Sequence, residues 1–317
     1  MKAILVPSPG GPEALVFGDA PDPVPGPDEV VVRVKATAVN RADLLQAAGK
    51  YPPPPGAPEI LGLEASGVVE GTGDRVFFLL AGGGYAGKVA VPRGMLMPIP
   101  ERMDFVKAAS IPEAWFTAYV TLFLEAGLKA GEKALIHAAA SGVGTAALQL
   151  VRRAGATAIA TARSPRKLGA TLSLGAALAI DTSTKDFAAE IEKAFGPNAV
   201  DVILDPVGGP FLERNLRVMA RGGRFVLIAS MGGGSSTIDL RSVLVKRLRI
   251  VGSTLRARPT AEKIALTEAF VRDVLPGFSD GSLATVVDSV LPLARAGDAF
   301  RRMGANENIG KIVLTVE

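Results

Sequence analysis

Between residues 133 and 252, short apolar runs alternate with helical patterns, and this alternation constrains the chain more than any other feature. Ala134–His137 reads as a strand and Gly142–Arg153 as a helix. The strand Thr157–Thr161, a helix over Pro165–Leu174 and the strand Leu178–Ile180 follow. A helix over Lys185–Phe195 leads to Val200–Leu204, then a helix over Pro210–Ala220 to Arg224–Ala229. A short helix near Leu240–Val245 and the strand Arg249–Gly252 close the series. Strands that are apolar almost throughout are strands buried on both faces, which is the signature of a parallel sheet covered by helices. Six such units predict an α/β fold with a doubly wound sheet. Residues 113–256 are expected to form this domain.

The turn after the first strand reads Ala139-Ala140-Ser141-Gly142-Val143-Gly144. A dinucleotide fingerprint has glycine at its first, third and sixth positions, and here only Gly144 remains. The context is stronger than the letters, because the turn follows a strand, opens a helix and begins the alternation. Backbone N–H groups at such a helix start face a pyrophosphate, and Ser141 adds a hydroxyl. The competing reading is a small-residue turn that only packs helix on sheet. About 20 residues further on, an NAD site places an acid for the ribose hydroxyls. Here the second strand runs into Arg163 and Ser164, with Arg166 and Lys167 beyond. A basic cluster there suits a 2′-phosphate and predicts NADPH; the alternative is a solvated helix start with incidental charge.

The flanking regions have a different rhythm. Val30–Val34 and Val89–Val91 are β-branched runs punctuated by Pro and Gly, so the first third is expected to be mostly β. Tyr51 precedes four prolines, Pro52–Pro55, and Gly56, a loop stiff enough to hold a side chain in place. Helical patterns near Ala261–Leu275 and Arg295–Met303 precede a strand at Lys311–Val316. That last strand is expected to return to the N-terminal β-region, making one discontinuous domain of residues 1–112 and 257–317.

Counts remove whole classes of chemistry. There is no cysteine, so disulfides, thiolate metal sites and cysteine nucleophiles are excluded, and a single histidine, His137, leaves almost no room for an imidazole metal site. A net charge of +4 without a Lys/Arg block argues against a nucleic-acid partner. The apolar stretch at the N-terminus is too short for a signal peptide and no long apolar segment follows, so a cytoplasmic protein with no membrane partner is expected. His137 ends the first strand of the alternation and is read as a structural, partnered imidazole.

Several stretches together resemble the zeta-crystallin-like quinone oxidoreductases, zinc-free members of the medium-chain dehydrogenase/reductase superfamily. They are Val39–Leu44, Tyr51–Gly56, Ile60–Gly67, Leu96–Pro100, Ile111–Trp115, Ser141–Gly144, Met231–Gly234 and Asn308–Lys311. More narrowly they are similar to the tumour-suppressor-inducible subgroup. The resemblance implies a GroES-like, mostly β catalytic domain beside a six-stranded Rossmann sheet, NADPH as cofactor, and a homodimer or homotetramer. Zinc-dependent relatives carry histidine where this chain has Leu63. Relatives often carry a tyrosine where this chain has Thr182, and the segment Glu70–Arg75 is shorter than usual.

The resemblance also implies a small-molecule substrate, a quinone or enone, that receives hydride from the nicotinamide. Such a substrate is already electrophilic, so the protein must position it and donate hydrogen bonds to its oxygens. Tyr51 is the first candidate and Asn40 the second, and by resemblance both lie at the cleft. Without it, Tyr51 is equally a loop aromatic covering apolar surface, and Asn40 a strand-end residue capping backbone groups. Asp43 and Glu64 are expected to make structural hydrogen bonds. Thr117, Ser230, Met231, Gly232 and Asn308 are cofactor contacts implied by the resemblance. Two rival functions remain at this point: an enoyl-thioester reductase, and a non-catalytic NADPH-binding, crystallin-like protein.

Overall fold

A computed structural model describes residues 1–316. The chain divides into two compact units, Met1–Phe116 with Leu255–Glu317, and Thr117–Thr254.

The second unit carries the alternation. Its elements are β1 (Lys133–Ile136), α1 (Gly142–Arg153), β2 (Thr157–Ala162), α2 (Pro165–Ser173), β3 (Ala176–Asp181) and α3 (Phe187–Phe195). They continue with β4 (Val200–Asp205), α4 (Gly209–Val218), β5 (Met219–Leu227), α5 (Leu240–Lys246) and β6 (Arg249–Gly252). The six strands lie in the order β3-β2-β1-β4-β5-β6, and every neighbouring pair is parallel. This is the doubly wound order, which reverses direction between β1 and β4. Leu135, Ile159, Ile203 and Phe225 are buried with Phe187 and Ile191 of α3, the reason the strands read as apolar throughout. Several boundaries depart from the sequence pattern, among them the starts of β5 and α3. β5 begins at Met219, five residues earlier than the apolar run, and its pairing jumps from Val200↔Met219 to Val202↔Arg224 across an irregularity. α3 begins at Phe187 because Asp186 accepts a hydrogen bond from the Ala188 N–H and caps the helix there.

The first unit is built on a mostly antiparallel sheet. Glu29–Ala38 is its central strand and pairs with Glu64–Val69, Lys88–Pro92 and Lys311–Thr315. The two β-branched runs face each other directly, with Val30 opposite Val91 and Val32 opposite Val89. Lys311–Thr315 reaches this strand from the far end of the chain, and pairs on its other side with Val287–Pro292. The short segment 70–74 closes a tight connection between Glu64–Val69 and Arg75–Leu79. Gly62 holds φ +104 and a side chain there would collide with Tyr85, so the backbone can approach Asp43 only as glycine. No helix among the described residues is long and apolar enough to cross a membrane.

Candidate functional site

In the dinucleotide unit, three sequence-predicted clusters sit at the carboxyl ends of parallel strands. Ser141 follows β1 and caps α1, its Oγ accepting the Gly144 N–H at 3.1 Å. Gly142, Val143 and Gly144 form the first turn of that helix. A Cβ on Gly144 would lie 2.5 Å from the Ala139 backbone, so helix and strand meet this closely only through glycine. That close approach leaves the helix start aimed at whatever lies beyond the strand ends. Arg163 and Ser164 follow β2; Arg163 is exposed, and Ser164 caps α2 by accepting the Lys167 N–H at 3.4 Å. Thr182 follows β3 and donates to the Ala162 carbonyl at 3.3 Å. Ser230, Met231 and Gly232 follow β5 and are exposed. Their turn is tied to the end of β4, with the Met231 N–H on Pro206 and the Gly232 N–H on Val207. Thr117 is half-buried at the start of this unit, on the helix Pro112–Tyr119.

His137 lies inside the same unit and is fully buried. Its Nε2 lies 2.8 Å from Asn215 Oδ1 and its Nδ1 2.9 Å from Thr161 Oγ1. Asn215 in turn donates to Asp205 Oδ2 at 2.9 Å. The amide oxygen can only accept, so Nε2 carries the proton and the threonine hydroxyl donates to Nδ1. Burial holds the imidazole below its ordinary pKa against the opposing pull of Asp205 and Asn215, so it is neutral. The ring is fully partnered and is not poised as a base.

The first unit gathers charge instead. Lys311 is buried on the last strand and spends its three protons on the Val39 carbonyl, Asn40 Oδ1 and Glu64 Oε1, at 2.9, 2.6 and 2.7 Å. Asn40 Nδ2 donates to the same Glu64 oxygen at 2.8 Å and to the Ala38 carbonyl at 3.3 Å. Its amide is therefore fully engaged within the protein. Glu64 Oε2 accepts the Glu113 N–H at 2.8 Å. Asp43 accepts from the Asn40 N–H at 2.8 Å, the Tyr85 hydroxyl at 3.0 Å and the Gly62 N–H at 3.3 Å. Burial, reinforced by the Glu64 charge, pushes its carboxyl up to about 6 despite these donors. Asn308 is also buried in this unit, its Nδ2 donating to the Gly310 carbonyl at 2.8 Å.

Tyr51 is half-buried and held by a residue the sequence reading did not single out. The Arg256 guanidinium lies 5.2 Å from the centre of its ring and donates to Ala81 and Gln46 at 2.8 Å each. A guanidinium stacked in this way clamps the ring face, while the prolines restrict the loop beneath it. Among the described residues the Tyr51 hydroxyl has no hydrogen-bond partner. Two further groups escaped notice. Glu113 carries a buried carboxyl oxygen, Oε2, with no partner, and Lys263 is buried with its ammonium on the Arg256 carbonyl at 2.9 Å. A lone acid in the apolar run Ala108–Phe116 was the available signal for Glu113. Nothing local marks Lys263, which reads as an ordinary helix-face lysine.

Two family models match the chain, an alcohol dehydrogenase GroES-like domain over residues 26–101 and a zinc-binding dehydrogenase over residues 142–270. The quinone oxidoreductase of Lama guanicoe is 30% identical, over 100% of this chain and 98% of its own. The chain belongs to the medium-chain dehydrogenase/reductase superfamily. Solved members of this oxidoreductase superfamily share the whole fold. The quinone oxidoreductase of Thermus thermophilus, solved also with NADPH, is 36% identical with a TM-score of 0.87, covering 99% of this chain and 100% of that one. An NAD-dependent alcohol dehydrogenase is 31% identical with a TM-score of 0.89, covering 100% of both chains.

Proposed function

We propose that this medium-chain dehydrogenase/reductase is a zinc-independent NADPH:quinone oxidoreductase acting on a small quinone or related enone. The observation that carries the reading is a tyrosine hydroxyl without a protein partner, on a ring clamped by Arg256 and a proline loop. NADPH supplies the hydride when bound. Ser141, Gly142, Val143 and Gly144 would hold its pyrophosphate, and Arg163, Ser164 and Lys167 its 2′-phosphate. Thr117, Ser230, Met231, Gly232 and Asn308 would complete its contacts, as the family resemblance implies. Tyr51 donates to the substrate oxygen as negative charge develops there. Asn40, its amide spent on Glu64 and Lys311, orients the cluster around the substrate. The residues do not suit the zinc of the matched family: the ligand position is the buried apolar Leu63, there is no cysteine, and the one histidine is committed to Thr161 and Asn215. A cytoplasmic homodimer or homotetramer is part of the same reading. The unpaired edge of β6 and the exposed Leu240, Leu244 and Ile250 support an assembly seam there.

The test is NADPH oxidation with a benzoquinone against a short enoyl-CoA. Turnover is expected on the quinone, and Tyr51→Phe is expected to lower it by about five- to a hundredfold, one hydrogen bond to an oxyanion, while NADPH affinity holds. Turnover confined to the enoyl-CoA makes this an enoyl reductase. Tight NADPH binding without turnover on either makes it a binding protein.

A further inference from the structure

We propose that Arg256 and Gln46 brace the proline loop at both its ends, and that Arg256 is the positioning residue that holds Tyr51 in its reactive pose. The inference rests on Tyr51 being the donor to the substrate oxygen.

The loop cannot hold itself. Residues 51–59 form neither helix nor strand, and Pro52, Pro53, Pro54, Pro55 and Pro58 have no N–H to give. Among the described residues, the one backbone hydrogen bond made by this segment runs from the Ala57 N–H to the Pro54 carbonyl at 3.0 Å, within the loop itself. The proline rings stiffen the segment without fixing where it sits.

Side chains supply what the backbone lacks. At the start of the loop, the Arg256 guanidinium lies 5.2 Å from the centre of the Tyr51 ring, and its Nη1 lies 3.5 Å from the Tyr51 carbonyl oxygen. At the end of the loop, Gln46 Nε2 donates to the Glu59 carbonyl at 2.9 Å. The two anchors are joined, because Arg256 Nη2 donates to Gln46 Oε1 at 2.8 Å. Gln46 is itself fixed on the helix Arg41–Ala47. Arg256 Nε donates to the Ala81 carbonyl at 2.8 Å, and Ala81 opens a glycine run against which the loop packs. In that run the Gly83 N–H donates to the Ile60 carbonyl at 2.7 Å, and a Cβ on Gly82 would lie 2.5 Å from the Pro58 carbonyl oxygen. Lys263, on the helix Thr260–Asp273, holds the Arg256 backbone by donating to its carbonyl at 2.9 Å.

The charge of Arg256 points the same way. The residue is 3% exposed, and among the described residues its hydrogen bonds go to neutral oxygens only. Burying a cation without a carboxylate lowers stability, and an apolar side chain would pack these segments at less cost. What the guanidinium adds is a rigid fork that spans two acceptors while its charge is drawn to an aromatic face. A ring held in this way presents its hydroxyl at one place, and a displacement of about 1 Å at a reacting group costs up to about a hundredfold in rate. Arg256 acts through the ring, not on the substrate.

The test is a double-variant cycle on quinone reduction by NADPH, Arg256→Met against Tyr51→Phe, run below the melting transition of every variant. Arg256→Met keeps an unbranched side chain without fork or charge. Alone it is expected to lower kcat by no more than the five- to hundredfold of Tyr51→Phe, with NADPH affinity unchanged. On the Tyr51→Phe background it is expected to add less than about twofold, because the group it positions has gone. Losses that multiply overturn the positioning role. Arg256→Lys keeps the charge without the fork and is expected to be as slow as Arg256→Met; it takes the place of Arg256→Met in the cycle if that variant does not fold. Full activity in Arg256→Lys overturns the brace, since charge alone then suffices. Gln46→Glu keeps the acceptor facing Arg256 and removes the donor to Glu59, so it is expected to slow turnover by about three- to tenfold. A parent-like rate in Gln46→Glu overturns the two-ended brace. If Tyr51→Phe turns over like the parent, the donor itself falls and the brace with it. If Tyr51→Phe is slow and Arg256→Met is not, only the brace falls.

Discussion

Each unit buries a polar network, and the two are built on opposite principles. In the dinucleotide unit, Thr161, His137, Asn215 and Asp205 form a closed chain in which each polar side chain has its partner and the imidazole is neutral. In the other unit, Glu64, Lys311, Asp43 and Glu113 lie close together, two carboxyls are pushed to about 6 and about 8, and one oxygen is orphaned. A closed network holds strands in register and asks nothing of solvent. An open one holds carboxyls away from their ordinary pKa at a cost in stability, and such groups are found more often where chemistry is done. The lone histidine, the residue type most often recruited for proton transfer, here belongs to the scaffold.

The sharpest way to break this contrast is Lys311→Ala. It leaves the Glu64 carboxylate buried with only neutral donors, and unfolding in denaturant is expected to show a loss of about 3–5 kcal/mol. A loss under about 1 kcal/mol, the range of an exposed pair, would mean that the charged cluster is better solvated than its burial implies.

In the other unit the largest effect should lie at the strand ends rather than in the buried chain. Arg163→Ala with Lys167→Ala is expected to weaken NADPH by about a hundredfold or more and NADH little, since each charge-assisted bond to a 2′-phosphate contributes about 1.5–3 kcal/mol. Comparing the dissociation constants of both cofactors in parent and double variant checks this. Equal affinity for NADH and NADPH in the parent would remove the phosphate reading of the basic cluster.

Stability against pH sharpens the comparison further. Glu113 is raised from an ordinary 4.5 to about 8, so between these values the folded state holds a proton that the unfolded chain has released. Its contribution is present below the unfolded value and is lost as pH rises through the folded one, with a slope of up to about 1.4 kcal/mol per pH unit. Asp43 adds the same sign between 3.8 and about 6. Unfolding at pH 6 and pH 8 should show the parent losing stability and Glu113→Gln losing less.

The smallest effect is expected from His137→Phe. Removing the ring strands the Thr161 hydroxyl and the Asn215 oxygen, at about 1–3 kcal/mol of stability, and leaves quinone turnover at the temperature of full folding unchanged. A collapse of turnover with stability intact would move His137 from scaffold to chemistry.

How much of this was legible in the chain follows from how far apart the partners lie. The six parallel strands and the helix opened by the turn Ser141–Gly144 could be read directly, because periodicity and helix starts are written over a few neighbouring residues. The tyrosine ahead of four prolines was legible for the same reason. Residue counts alone ruled out thiolate chemistry. What holds Tyr51 was not legible, since Arg256 reaches Gln46 across 210 positions of sequence. Nor was the setting of Asn40, whose amide meets Lys311 across 271 positions. Glu113 reads as one acid in an apolar run until the strands and helices of the first unit close around it. A carboxyl's proton affinity depends on the dielectric and charges within a few ångströms, and only the tertiary structure decides which groups those are.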